Sequence, residues 1–143
     1  MPTRIVETSE AAETEELGAE LAGLLRPGDL VLVRGDLGAG KTTFVRGAAR
    51  ALGVRSPVTS PTFSIGHLYR THPPERFDVA HLDLYRLSGL AGEEPDLLAD
   101  YLGAERIAFV EWPPQDDPEL PAPRLVVTIH HADGDARRIE VQG

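Results

Sequence analysis

Apolar residues along this chain fall into short runs separated by polar, glycine- and proline-containing segments, and the runs carry two different periods. Leu30-Val31-Leu32-Val33 and Ile107-Ala108-Phe109-Val110 are unbroken, the pattern of strands buried on both faces. Leu17, Leu21, Leu24 and Leu25 recur at i, i+4, i+7 and i+8, which is one helical stripe. Ser9 is placed as the N-cap of that helix, Glu10 and Glu13 follow where the helix dipole favours acids, and Pro27-Gly28 ends it. A second helix is predicted from Thr43 to Leu52, with Phe44, Val45, Ala48, Ala49 and Leu52 on one side and Gly53 as its C-terminal cap.

The remaining segments are shorter. Ile5-Val6 is read as a short strand, and Val58 to Tyr69 as an irregular loop followed by a strand. A turn at His72-Pro73-Pro74-Glu75 precedes a strand from Phe77 to Leu84. Gly89 to Gly92 is a loop, Pro95 to Leu102 a short helix, and Pro113 to Pro123 a surface connection. Leu125 to Ile129 and Arg138 to Val141 form a hairpin around Asp133-Gly134. Strands that alternate with helices and then close on a hairpin predict an α/β fold, with parallel strands at the centre, antiparallel strands at the edges and flanking helices. The 143 residues fit one domain, 1–143.

Between the first buried strand and the second helix stands Gly35-Asp36-Leu37-Gly38-Ala39-Gly40-Lys41-Thr42, which fits G-x-x-x-x-G-K-[ST] without a mismatch. Strand, glycine loop and helix together are the setting in which this pattern binds phosphate, and they place the chain among P-loop NTPase folds. The glycines let successive N–H groups turn inward as an anion nest, and the positive end of the helix adds to the field. Lys41 is expected to reach the β- and γ-phosphates and the Thr42 hydroxyl to ligate Mg2+.

Composition narrows what such a loop serves. The hydrophobic content of 41% supports a single core, and the formal charge of −9 argues against a broad nucleic-acid surface on this chain alone. The chain has no cysteine, which excludes disulfides, thiolate metal sites and cysteine catalysis. The amino terminus turns acidic at once, and no apolar run approaches the ~18–20 residues that span a bilayer, so a cytoplasmic protein without membrane contact is expected.

A P-loop needs an acid to hold or orient Mg2+ and its waters. Asp83 and Glu111 each close an apolar strand, and either can face the loop from the carboxyl edge of a parallel sheet. Glu111 is the cleaner match, following four apolar residues; Asp83 lies near His81 and Arg86 and could position water or act as a base. His81 and Asp83 share a strand face, read as a hydrogen-bonded pair in preference to a metal site. Ser60-Pro61-Thr62-Phe63-Ser64 sits where switch loops sense the γ-phosphate, with Thr62 as the sensing hydroxyl; an ordinary proline turn is the alternative. Trp112 either lines the nucleotide site or anchors the strand end. His130 and His131 point to opposite faces and are not joint ligands.

The guanine motif N-K-x-D and the second-switch D-x-x-G of GTPases are missing. The region 86–106 offers Arg86 and Arg106 but no dense basic lid of the kind a small-molecule kinase carries. A small ATP-binding module coupled to a protein partner remains, with a phosphotransferase acting on a small metabolite as the alternative.

Gly35 to Thr43, Ser60-Pro61-Thr62-Phe63, His81-Leu82-Asp83-Leu84-Tyr85-Arg86-Leu87 and Glu111-Trp112-Pro113 occur in an order and spacing that closely resembles the bacterial TsaE (also called YjeE) family. The resemblance runs from Thr14 to Arg138 and is loosest at Ser88 to Asp96. It implies an ATPase used in making N6-threonylcarbamoyladenosine in tRNA, at the adenosine following the anticodon. TsaC makes the activated threonylcarbamoyl-adenylate in that scheme, and the TsaB–TsaD pair transfers the group. The ATPase binds the pair and resets it between turnovers, meeting tRNA only through its partners. Carried onto this sequence, the resemblance has Thr42 and Glu111 ligating Mg2+. Lys41 and the loop amides, through Thr43, hold the phosphates of ATP. Asp83 supports the catalytic water or the metal's shell, and Thr14 and Arg138 touch the nucleotide.

Overall fold

The computed structural model describes residues 3–36, 38–59, 66–71, 77–83, 102–111 and 122–143. In chain order the elements are β1 (Arg4–Thr8), α1 (Ala11–Ala22), β2 (Leu30–Gly35), α2 (Lys41–Ala51), β3 (Gly66–Arg70), β4 (Asp78–Asp83), β5 (Arg106–Glu111), β6 (Leu125–His131) and β7 (Arg137–Gln142). The described strands make one sheet in the order β1-β7-β6-β2-β5-β4-β3. β6, β2, β5 and β4 are mutually parallel, and at the edges β3 pairs antiparallel with β4, β7 antiparallel with β6, and β1 antiparallel with β7. The α/β architecture with parallel centre and antiparallel edges is therefore as expected.

The unbroken apolar runs behave as their pattern requires. β2 and β5 are buried along both faces. Val31, Val33, Ile107 and Phe109 join Val79 and the apolar sides of both helices in one cluster. Leu30, Leu32, Ala80, Leu82, Ala108 and Val110 form a second cluster on the opposite face. Because the central strands are parallel, the ends of β2, β4 and β5 lie at one edge of the sheet. There Val33 is in register with Glu111, and Glu111 with Asp83.

Helix α2 has the predicted inward face, with Phe44, Val45, Ala48, Ala49 and Leu52 buried and Gly53 following at φ 103°. Helix α1 differs at both ends. Its N-cap is Glu10, not Ser9, and Glu13 reaches back past the cap to accept the Ser9 N–H at 3.0 Å. It ends at Ala22 with Gly23 as C-cap, before Pro27-Gly28. Leu17, Leu21 and Leu25 are buried, whereas Leu24 lies beyond the last helical turn and is 47% exposed.

The two helices touch backbone to backbone. A Cβ at Gly47 would stand 2.0 Å from the Glu15 carbonyl oxygen, and one at Gly18 would stand 2.3 Å from that of Phe44. No side chain fits at either position, so α1 is seated directly on α2. The Glu15 carboxylate, 3.6 Å from both Arg46 and Arg50, adds weaker surface pairing across the same contact. The hairpin over β6 and β7 turns at Asp133-Gly134 as predicted, each strand longer than its apolar core. Most of the predicted helix over 95–102, the connection over 113–123, the loop at 89–92 and the loosely matching 88–96 segment lie outside the described residues.

Candidate nucleotide site

The loop leaves β2 at Gly35 and becomes α2 at Lys41, so the N-terminal end of the helix stands at the carboxyl edge of the sheet. Gly40 is the N-cap with φ 108°, and Gly38 has φ 75°. A Cβ at either would meet nothing within 4 Å. The backbone angle, not crowding, calls for glycine there, and the open space beside it is what a phosphate needs. Lys41 is 5% exposed and donates from Nζ to the carbonyl oxygens of Gly35 at 2.7 Å and Asp36 at 3.0 Å. Burial pushes its ammonium below the ordinary lysine range, against the opposing pull of Glu111, Asp83 and Asp36.

On the sheet side, Thr42 Oγ1 donates toward the Glu111 carboxylate, 3.1 Å from Oε2 and 3.4 Å from Oε1. Glu111 is 2% exposed, and its Oε2 also accepts from His81 Nε2. Its partner is thus the residue two positions before Asp83, and the expected His81–Asp83 pair gives way to a His81–Glu111 pair. The reason is the register: Asp83 lies level with Glu111, and His81 reaches across from the same face of β4. Next to it on β3, His67 is in register with His81 and shares a 2.9 Å hydrogen bond between Nδ1 and the Tyr69 hydroxyl. Burial, then the neighbouring His81, holds His67 below the ordinary histidine range.

Among the described residues no three His, Cys, Asp or Glu side chains converge on a metal. Magnesium does not need such a cluster, since it takes one or two protein oxygens and fills its octahedron with phosphate oxygens and water. Neighbouring oxygens around an ion bonded at about 2.1 Å lie about 3 Å apart. The 3.1 Å between Thr42 Oγ1 and Glu111 Oε2 fits that edge, and both donors are hard oxygens.

On the other side of the loop lies a cleft of about 240 Å3. It is lined by Thr14 from α1, Gly38, Ala39 and Gly40 from the loop, Thr43 from α2, and Arg137 from β7. Thr14 is 2% exposed, with its hydroxyl 3.0 Å from that of Thr8. Arg137 donates from Nε to Ala39 O at 2.8 Å and from Nη2 to Gly38 O at 3.3 Å, while Nη1 holds Gly134 O and Ala136 O of its own hairpin.

The structure thus gathers Gly35, Asp36, Gly38, Ala39, Gly40, Lys41, Thr42 and Thr43 with Thr14, Asp83 and Glu111 around one loop. Arg138 is exposed on the outer face of β7 and does not line the cleft, whereas Arg137, which sequence reasoning passed over, does. The signal was present: Ile139 and Val141 are the inward positions of that strand, which makes 137 inward and 138 outward. Leu37, Thr62 and Trp112 lie outside the described residues.

The chain and its fold have counterparts among known proteins. The family model for TsaE, described as threonylcarbamoyl adenosine biosynthesis protein TsaE, matches residues 8–139. The tRNA threonylcarbamoyladenosine biosynthesis protein TsaE of Streptomyces coelicolor is 46% identical over 134 residues, covering 90% of this chain and 88% of that protein. Its namesake in Bacillus subtilis is 38% identical, over 89% of this chain and 77% of that protein. The crystal structure of Bacillus subtilis YdiB superposes with a TM-score of 0.75 at 31% identity, covering 98% of this chain and 84% of that one.

Proposed function

The chain belongs to the TsaE family, and from that premise we propose that it is the Mg2+-dependent ATPase of the machinery that forms N6-threonylcarbamoyladenosine in tRNA next to the anticodon. It acts on the TsaB–TsaD pair and meets tRNA only through that pair, a division of labour that its charge of −9 favours. The observation that carries the ATPase reading is the Thr42 hydroxyl set against the buried Glu111 carboxylate, directly behind a loop of the P-loop pattern.

In this reading Lys41 leaves its loop carbonyls to meet the β- and γ-phosphates, and the amides of the loop and of the first turn of α2, Thr43 included, hold the rest of the tail. Thr42 and Glu111 hold magnesium, which when bound offsets the charge on the phosphates. Asp83, level with Glu111 at the strand ends, orients the attacking water. Thr14 and Arg137 take the nucleoside side of the ligand in the cleft. Leu37, Thr62 and Trp112 remain proposed nucleotide-side residues on their places in the loop pattern, the switch position and the strand end, and Arg138 on the family resemblance. A single domain over 1–143 and a cytoplasmic location complete the reading; no described helix is long and apolar enough to cross a membrane.

The test is phosphate release from ATP with Mg2+, measured with the chain alone and with the TsaB–TsaD pair. Slow release by the isolated chain, acceleration by the pair, and loss of both in Glu111→Ala are expected. Co-precipitation of the pair should depend on ATP. Fast turnover by the chain alone, unaltered by the pair, would rule out the partner-coupled role. Transfer of the phosphoryl group to a small acceptor would put a metabolite phosphotransferase in its place.

A further inference from the structure

We propose that His81 is a positioning residue that holds the Glu111 carboxylate in the orientation from which it and Thr42 take magnesium. The inference rests on the reading of Glu111 as a magnesium ligand and goes one residue deeper. His81 is 0% exposed on β4, and its ring donates from Nε2 to Glu111 Oε2. Glu111 is 2% exposed, so the orientation of its carboxylate depends on the groups packed around it. Thr42 Oγ1 approaches both carboxylate oxygens, at 3.1 and 3.4 Å, and by itself leaves the carboxylate free to turn about its last bond. His81 fixes Oε2 from the sheet side and removes that freedom.

A histidine buried only to knit the core would use both ring nitrogens. His81 does not: Nδ1 is buried and has no hydrogen-bond partner among the described residues. A buried polar nitrogen without a partner is costly, and a leucine would fill the position without that cost. The side chain is therefore explained by what Nε2 does for Glu111. Groups that hold a metal ligand from behind in this way typically change metal affinity by about 10- to 100-fold when removed.

The experiment compares the affinity for ADP in EDTA with that in Mg2+, by calorimetry, in the full chain and in His81→Leu, His81→Gln and Glu111→Ala. The ratio of the two affinities isolates the metal's contribution without turnover. The expected result is that His81→Leu keeps metal-free ADP affinity within about twofold and loses about tenfold or more of the Mg2+ enhancement. His81→Gln, which keeps a donor near the Nε2 position, recovers most of it. Full enhancement in His81→Leu, or equal loss of metal-free and metal-dependent binding that glutamine does not restore, overturns the proposal. If Glu111→Ala itself keeps the enhancement, the metal-ligand reading has failed and the positioning role with it. Should His81→Leu not fold, the unaltered protein still decides. The Nε2 proton of His81, followed by nitrogen-edited NMR, is expected to stay protected from exchange when Mg2+ and ADP are bound. Its passage into rapid exchange on loading would show that the contact is released, which overturns the proposal.

Discussion

At the proposed metal end of the loop, Thr42, Glu111 and His81 stand where α2 meets the ends of β4 and β5, and Glu111 and His81 are almost wholly removed from solvent. At the proposed nucleoside end, Thr14 and Arg137 reach the same loop from α1 and β7, elements outside the parallel centre, and border an open cleft. The first end is held by side chains bonding to one another inside the fold. The second is held by Arg137 gripping backbone carbonyls and by α1 resting on α2. One loop is thus supported by two kinds of construction: a dry polar chain anchored in the sheet, and an outer clamp whose placement depends on how peripheral elements dock. The two should fail separately.

The largest effect is expected where both ends share a residue. Lys41→Ala should weaken ATP binding about 100-fold, the equivalent of about 3 kcal/mol of charge-assisted hydrogen bonding, with or without Mg2+. Calorimetry that found affinity intact would dissolve the comparison, since the loop would not then be the binding element. Next is Gly47→Ala. Its methyl group would lie inside the Glu15 carbonyl, so α1 has to move off α2, at a cost of about 3 kcal/mol in urea denaturation. Because α1 carries Thr14, the same variant should weaken nucleotide binding while leaving the Mg2+ enhancement intact; an unchanged midpoint would mean the helices do not meet as closely as described.

Arg137→Ala should lower ADP affinity about tenfold, matching the loss of a partly exposed charged donor, and again spare the enhancement. If the enhancement fell in step, the two ends would not be separable. The smallest effect is on pH. His67 is held below its ordinary value, so the unfolded chain binds a proton there more readily than the folded one. Its contribution favours the fold above the unfolded value of about 6.5 and is lost as the pH falls through the lower folded one. Denaturation midpoints should therefore drop on mild acidification, and drop less in His67→Gln. Equal drops in both would remove His67 from the account of the metal end.

The metal end was the more legible of the two in the sequence. Local patterns specify it: eight consecutive loop positions, and acids closing apolar strands whose parallel pairing brings their ends to one edge. The exchange of partner from Asp83 to Glu111 was not visible there, because strand parity says which side chains share a face but not which neighbouring strand supplies the contact. The nucleoside end was harder to see. Thr14 and Arg138 are both reached only through family resemblance, while the inward positions of Ile139 and Val141 are what place Arg137 on the cleft side. The contact through Gly18 and Gly47 left no trace in hydrophobic periodicity, which registers apolar side chains and is blind to positions that work by having none. Leu24 shows the converse: periodicity extended the helical stripe past Gly23, where the helix itself had stopped.

Lys41 has a consequence for what the loop accepts. Its ammonium is already seated against Gly35 and Asp36, so a newcomer has to draw it off those oxygens rather than fall into an empty berth. A lone inorganic phosphate offers little to compete with that seat. A polyphosphate tail, engaging the amine and the neighbouring amides together, offers much more, so on the proposed reading the resting posture of this one side chain favours a polyphosphate over inorganic phosphate.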